Sequence, residues 1–424
     1  MKAMTMNAKR RRAHDKLAAL PGVRAVRRPV RSDQDGTADQ FDLYYVRTGR
    51  KSAHPLLVIP GGPGAASVAL YRGFRRRAAA EGLDVIMVEH RGVGMSRHDS
   101  RGADLPPEAL TIDQAVDDLA AVLDDAAVDK AIVYGTSYGT YLAAGFGVRH
   151  PDRVHAMVLD SPVLSAQDID AVREAARRLL WNGEDPETAD LAPKVRRLVG
   201  DDVLSPAATQ LAMAVYGFAG PALLQRQLDL LLGGRRWLWS GMAHVTRLVL
   251  ERKAPYRHEP DLVGRIGYRE LNYGATPDGK PFDPAVAYRE IAAGTTEFEA
   301  EPYDLVADMP NFTWPTVVIS GGRDLITPST VARQIASLIP NSVLIPLPTA
   351  GHSVVDMREG AALEIVKAVY EDSLQGLSER GAALDSKPAG LGVRALVWGI
   401  EAATAVESAL PAVVPRTVRR VMAS

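Results

Sequence analysis

The sequence contains no cysteine in 424 residues, which excludes disulfide frameworks, thiolate metal sites and a cysteine nucleophile. A reducing compartment suits such a chain, and a cytoplasmic location is the expectation. Aromatic residues make up only 6%, and neither charge is in surplus: 50 Lys and Arg stand against 51 Asp and Glu, a net charge of −1. A dedicated nucleic-acid binder would be basic, so no nucleic-acid partner is expected. There is no run of 18 or more uncharged apolar residues, so no membrane span is expected either. The basic opening MKAMTMNAKRRRAHDK has no apolar stretch behind it, unlike a secretory signal. Neither G-x-x-x-x-G-K-S/T nor H-E-x-x-H occurs, and Gly92-Val93-Gly94-Met95-Ser96 does not complete a dinucleotide-binding G-x-G-x-x-G. No cofactor and no metal are expected. The oligomeric state cannot be read.

What is present is the composition of a folded enzyme-sized chain, 46% apolar and 24% charged. Residues 1–31 hold ten Lys and Arg against the single acid Asp15, and read as a solvated arm leading into a first strand. Val23–Arg31 and Phe41–Thr48 look like strands. The polar run SDQDGTADQ between them predicts antiparallel pairing. Short apolar runs then alternate with helical patterns. Leu56–Ile59, Asp84–Val88, Ala131–Tyr134 and Ala156–Leu159 are the runs. Ala65–Ala80, Asp113–Ala126 behind a Thr111 N-cap, and Tyr138–Val148 are the helices. Buried runs flanked by helices predict an α/β fold with a mostly parallel sheet covered on both faces.

From Leu164 to Asn311 helical stretches dominate, among them Ala171–Trp181, Pro206–Phe218 and Ala222–Leu232. The strand and helix rhythm resumes with Thr316–Ser320, Ser329–Ile339, Ser342–Leu347 and Ala362–Asp372. The expected organisation is a core in two parts, 1–163 and 312–372, interrupted by a large mainly helical cap, 164–311, and followed by an extension, 373–424. Leu391–Val414 reads as an amphipathic helix packed on the body rather than lying on a membrane.

Gly135-Thr136-Ser137-Tyr138-Gly139 carries the strongest chemical signal. It follows an apolar strand and opens a helix, where a tight turn between small residues lifts a serine hydroxyl above the sheet edge. Serine is a weak nucleophile and needs a base. His352 follows the last strand, in the loop above the carboxyl end of the sheet, where open α/β folds bind ligands. His90, His150 and His155 lack that placement. A carboxylate must hold the base in one tautomer. Asp324, just after the strand that precedes the His352 strand, is the candidate. Asp160 is the rival and is assigned a structural role, and Asp356 lies too close to His352 along the chain. The glycines of Pro60-Gly61-Gly62-Pro63-Gly64 let backbone approach a substrate. The amides of Gly62 and Tyr138 are assigned as donors to an oxyanion.

These motifs resemble those of the α/β-hydrolase fold, and within it the proline iminopeptidase and tripeptidyl-aminopeptidase-like serine peptidases. Gly61-Gly62-Pro63-Gly64 is similar to the family's GGPG loop. Glu89-His90-Arg91-Gly92-Val93-Gly94-Met95-Ser96 resembles its D-x-R-G-x-G-x-S loop, with Glu89 in the acid's place. Tyr134-Gly135-Thr136-Ser137-Tyr138-Gly139-Thr140-Tyr141, with Pro151-Asp152-Arg153-Val154 after it, resembles the nucleophile region. The resemblance spans residues 41–162 and 313–370. It implies a serine peptidase that releases N-terminal residues, in which cap carboxylates bind the substrate's free amine. Glu270, in Arg269-Glu270-Leu271-Asn272-Tyr273, is the candidate for that role, with a second acid among Glu297, Glu299 and Glu301. Arg91 is expected to be structural. The substrate is therefore expected to be a small peptide, or an ester if the chain is instead a carboxylesterase or another small-acyl hydrolase. The remaining reading is a non-catalytic hydrolase-fold binding protein.

Overall fold

A computed structural model describes residues 6–31, 39–251, 254–292, 297–374 and 376–410. Eight strands form one sheet: β1 (Val23–Pro29), β2 (Gln40–Thr48), β3 (Leu56–Ile59), β4 (Val85–Val88), β5 (Ala131–Thr136), β6 (Val154–Asp160), β7 (Thr316–Gly321) and β8 (Ser342–Leu347). Their order across the sheet is β1-β2-β4-β3-β5-β6-β7-β8. β1 pairs antiparallel with β2, as the turn-rich run between them predicts, and β2 pairs antiparallel with β4. Most of the run SDQDGTADQ itself, residues 32–38, lies outside the described residues. All other pairings are parallel. β3 and β4 consist wholly of buried aliphatic and Met residues, the pattern of strands covered on both faces.

Helices on the two faces complete two apolar clusters. One contains Leu119, Leu123, Tyr141, Leu142 and Ile335, and the other Phe74, Ile365, Val366 and Val369. The Ile112–Asp125 helix shows how sequence fixes one of these helices. Thr111 Oγ1 accepts from the Gln114 amide at 3.2 Å, which satisfies one otherwise unpaired first-turn donor. Ala115, Leu119 and Leu123 then recur every four residues on its buried face.

Between β6 and β7 the described residues hold no strand of the sheet. The chain runs through helices Asp168–Ala176, Leu191–Gly200, Pro206–Ala219, Pro221–Leu232, Trp237–Glu251, Pro260–Leu271 and Pro284–Ala292. Leu180, Leu191, Val195, Val215, Leu224 and Leu228 form a separate core within this insertion.

Two expectations need correction. The N-terminal segment is not a solvated arm throughout. Ala8–Ala18 is a helix capped by Asn7, and it buries Arg10. The stretch Ala65–Ala80 is two helices, Ser67–Leu70 and Arg72–Ala80, meeting at Tyr71. The extension does contain a helix, Leu391–Ala409, and residues 411–424 lie outside the described ones.

Candidate active site

β5 ends in Gly135-Thr136 and the Tyr138–Arg149 helix begins one residue later, so Ser137 must turn the chain alone. It does so at φ 51°, ψ −127°, a region sparsely populated by side-chain-bearing residues. The glycines around it are demanded by packing. A Cβ at Gly135 would stand 2.3 Å from the Gly139 carbonyl oxygen, and one at Gly139 would stand 2.2 Å from that of Ile59.

The structure brings Ser137, His352 and Asp324 together from three separate loops. Ser137 Oγ lies 2.8 Å from His352 Nε2, and His352 Nδ1 lies 2.9 Å from Asp324 Oδ2. Asp324 is 2% exposed, and its other contacts are all donors. Oδ1 accepts from the Ile326 and Thr327 amides at 2.9 Å each, and Oδ2 accepts from Thr327 Oγ1 at 2.9 Å. Burial works against ionising both partners, but their mutual charge and hydrogen bond outweigh it. Asp324 is thus held below the usual carboxylate range and His352 above the usual 6.5. A hydroxyl bonded to an imidazole, itself bonded to a buried carboxylate, is an arrangement that can relay a proton from the hydroxyl to the ring.

The rival carboxylates are occupied elsewhere. Asp160 accepts from the Val354 and Val355 amides at 3.0 and 2.9 Å and from Tyr134 Oη at 2.8 Å, and so anchors the loop that carries His352. Asp356 accepts from Ser353 Oγ at 2.5 Å. Arg91 is buried, with Asp118 bound bidentately at 2.7 Å and the Ala109 carbonyl at 2.9 Å. His90 hydrogen-bonds Tyr138 Oη at 3.2 Å. Burial pushes its imidazole down to about 4, so it stays neutral near pH 7. Gly62 lines the same cavity as Ser137, and Tyr138 begins the helix whose positive end points at it.

That cavity, about 300 Å³, lies between the sheet's carboxyl edge and the helical insertion. Val163, Val172, Met213, Leu271, Tyr273 and Tyr288 give it a largely apolar wall. Gln210 Nε2 is buried there without a hydrogen-bond partner. Among the described residues that line it, Asp168 is the one carboxylate. Asp168 accepts from the Leu164 amide at 2.7 Å, and burial pushes its carboxyl up to about 6. The sequence reading missed this residue. Its only local sign is a pair of acids, Asp168 and Asp170, in the first turn of a helix.

Glu270 stands elsewhere and does not line the cavity. Its Oε1 accepts from Arg269 Nε at 3.0 Å and its Oε2 from the Ile112 amide at 2.8 Å, so both oxygens are engaged. In this arrangement it joins the insertion to the start of the Ile112–Asp125 helix. Of the three further acids, Glu301 accepts from the Ala166 amide at 3.0 Å beside Asp168, whereas Glu297 and Glu299 are exposed. Among the described residues no group of three or more His, Asp or Glu could hold a metal ion, and no helix is long and apolar enough to cross a membrane.

Residues 54–357 match the family model described as the alpha/beta hydrolase fold. A probable proline iminopeptidase from Leptolyngbya boryana is 23% identical over 329 residues, covering 74% of this chain and 86% of that protein. A proline iminopeptidase from Neisseria meningitidis serogroup A is 26% identical over 339 residues, covering 78% and 93%. A rhodomycin D methylesterase from a Streptomyces species is 25% identical over 320 residues, covering 75% and 91%.

Proposed function

This chain belongs to the α/β-hydrolase family, and on that footing we propose that it is a serine aminopeptidase of proline iminopeptidase type. It releases N-terminal residues from small peptides. The observation that carries the hydrolytic part is the chain of contacts from Ser137 through His352 to Asp324, at 2.8 and 2.9 Å. Ser137 Oγ attacks the scissile carbonyl carbon while His352 Nε2 takes its proton. The amides of Gly62 and Tyr138 stabilise the oxyanion. His352 then protonates the leaving amine as the carbon–nitrogen bond breaks. Water, deprotonated by the same imidazole, hydrolyses the acyl-enzyme and restores Ser137. Asp324 keeps the Nδ1 proton directed at itself and stabilises the imidazolium. The insertion at 164–311 acts as a cap that bounds the substrate.

Two observations support the peptidase over other hydrolases: the two proline iminopeptidases that match most of this chain, and the carboxylate of Asp168 in a largely apolar cavity. In this reading Asp168 meets the substrate ammonium, with Glu301 adding negative charge behind it. Glu270 braces the insertion against the core. The second reading, a carboxylesterase, is favoured by the apolar wall of the cavity and by the methylesterase relative.

The test compares prolyl-aminomethylcoumarin, its N-acetylated form and p-nitrophenyl butyrate, with Ser137→Ala as the blank. The expected result is cleavage of the free-amine substrate in strong preference to the acetylated one. Ester cleavage with no turnover of any free-amine substrate would replace the peptidase by the esterase.

A further inference from the structure

We propose that the outer face of the Leu391–Ala409 helix, together with the adjoining start of the Trp237–Glu251 helix, docks on an anionic lipid surface. The inner face of the Leu391–Ala409 helix is fixed to the insertion. Thr404 Oγ1 accepts from Gln227 Nε2 at 2.6 Å, and the buried Glu407 carboxylate accepts from the Trp237 and Leu238 amides at 2.9 and 3.2 Å. A helix so anchored would normally show a polar face to solvent. This one shows Leu391 at 80% exposure and Trp398 at 71%, with Leu396 and Val406 also more than half exposed. Leu391, Ala395, Trp398, Ala402, Ala405 and Ala409 recur at alternating steps of four and three, so they share one side of the helix. The neighbouring helix adds Trp237 and Val245, both exposed.

The charges around this apolar face are mainly positive. Arg236 and Arg394 are exposed, and Arg235 holds the Leu410 carbonyl at the helix end. The half-exposed Glu401 is bound by Arg226 at 2.9 Å. Residues 240–246 contain no carboxylate. Tryptophan side chains favour the headgroup region, and arginines beside them favour anionic lipid phosphates. A second copy of the chain would bring the same cations together across the contact, which is the reason to prefer a lipid surface. No described helix is long enough and apolar enough to cross a bilayer, so the face lies on the membrane and does not span it. Thr246 lines the cavity beside Ser137 and Val245 next to it is exposed, so docking sets one wall of the cavity against the lipid. This inference does not depend on which bond the chain hydrolyses.

Flotation of the full chain with phosphatidylcholine vesicles, with and without phosphatidylglycerol, tests it. Binding is expected to the anionic vesicles, to weaken at high salt, and to fall at least roughly tenfold in Leu391→Glu/Trp398→Glu. Arg236→Glu/Arg394→Glu, which alters exposed side chains alone, should also lower it. Thermal melting of both variants controls for folding. The proposal is overturned if the chain does not float, if it binds neutral vesicles equally well, or if both variants with wild-type melting bind like the parent. A dimer that the first variant dissociates, with no flotation, would assign the face to a second copy instead.

Discussion

At the scale of single residues, His352 can act as a base only when neutral, and the Asp324 charge holds its proton above pH 6.5. Activity should therefore fall as pH drops through a midpoint above 6.5, for amide and ester substrates alike, in a pH profile of kcat/KM. Asp324→Asn removes the carboxylate and should lower kcat by about 10⁴ while Ser137 remains in place. Asp168 should leave a different signature. Its carboxyl titrates at about 6, so KM for a free-amine substrate should rise as pH falls through that value, while KM for a neutral ester stays flat. Asp168→Asn should raise the first KM at neutral pH by roughly tenfold and spare the second, as removal of one charge-assisted contact implies. An ester KM that moved equally would mean that Asp168 merely shapes the wall. The three site residues were legible because each follows a strand end, a local feature. Asp168 was not. It becomes visible only when the insertion folds back over β5, and no pattern within the insertion announces that geometry.

At the scale of elements, legibility follows how local the cause is. Leu56–Ile59 and Ser342–Leu347 form strands with the bounds that their sequence pattern predicts, because their apolar or alternating runs are bounded by turn residues. The Ala8–Ala18 helix was invisible for the opposite reason. It is rich in Lys and Arg, packs only Ala13, Leu17 and Ala18 against the core, and its one buried side chain finds its partner 249 residues away. Glu270 belongs to the same class of long-range pairing. It closes the first turn of the Ile112–Asp125 helix from within the insertion, adding a negative charge where the helix end is positive. Glu270→Ala would strip the cap and leave Arg269, 9% exposed, without its carboxylate. The expected loss is about 3–5 kcal/mol of stability in denaturant melts. The ratio of amide to ester turnover at permissive temperature should be unchanged. That outcome and the Asp168 result together separate a brace from a recognition group.

At the scale of the whole molecule, three distant parts of the chain meet at one buried charge. Glu259, in the insertion, is 0% exposed. Its oxygens accept from Arg10 at 2.6 and 2.9 Å and from the Gly94 amide at 2.7 Å, and Arg10 also donates to the Gly94 carbonyl at 2.9 Å. Tyr256 Oη caps the Arg10 carbonyl at 2.8 Å, and the guanidinium lies 4.7 Å from the centre of its ring. The N-terminal helix, the Gly94 loop of the core and the base of the insertion are thus tied by one bidentate pair. Replacing both charges by apolar groups could be neutral, but removing Arg10 leaves Glu259 buried with only the Gly94 amide and the more distant Arg97 guanidinium, 4.0 Å away. Arg10→Ala should therefore lower stability by about 3–5 kcal/mol, whereas Arg27→Ala, which breaks a half-exposed pair with Asp42, should cost no more than about 1 kcal/mol. Limited proteolysis adds a spatial reading. Loss of Arg10 should expose the segment around Tyr256 to cleavage before the sheet opens, because that segment is held by the N-terminal helix. Simultaneous cleavage throughout the chain would instead mean that the insertion, the core and the N-terminal helix unfold as one unit.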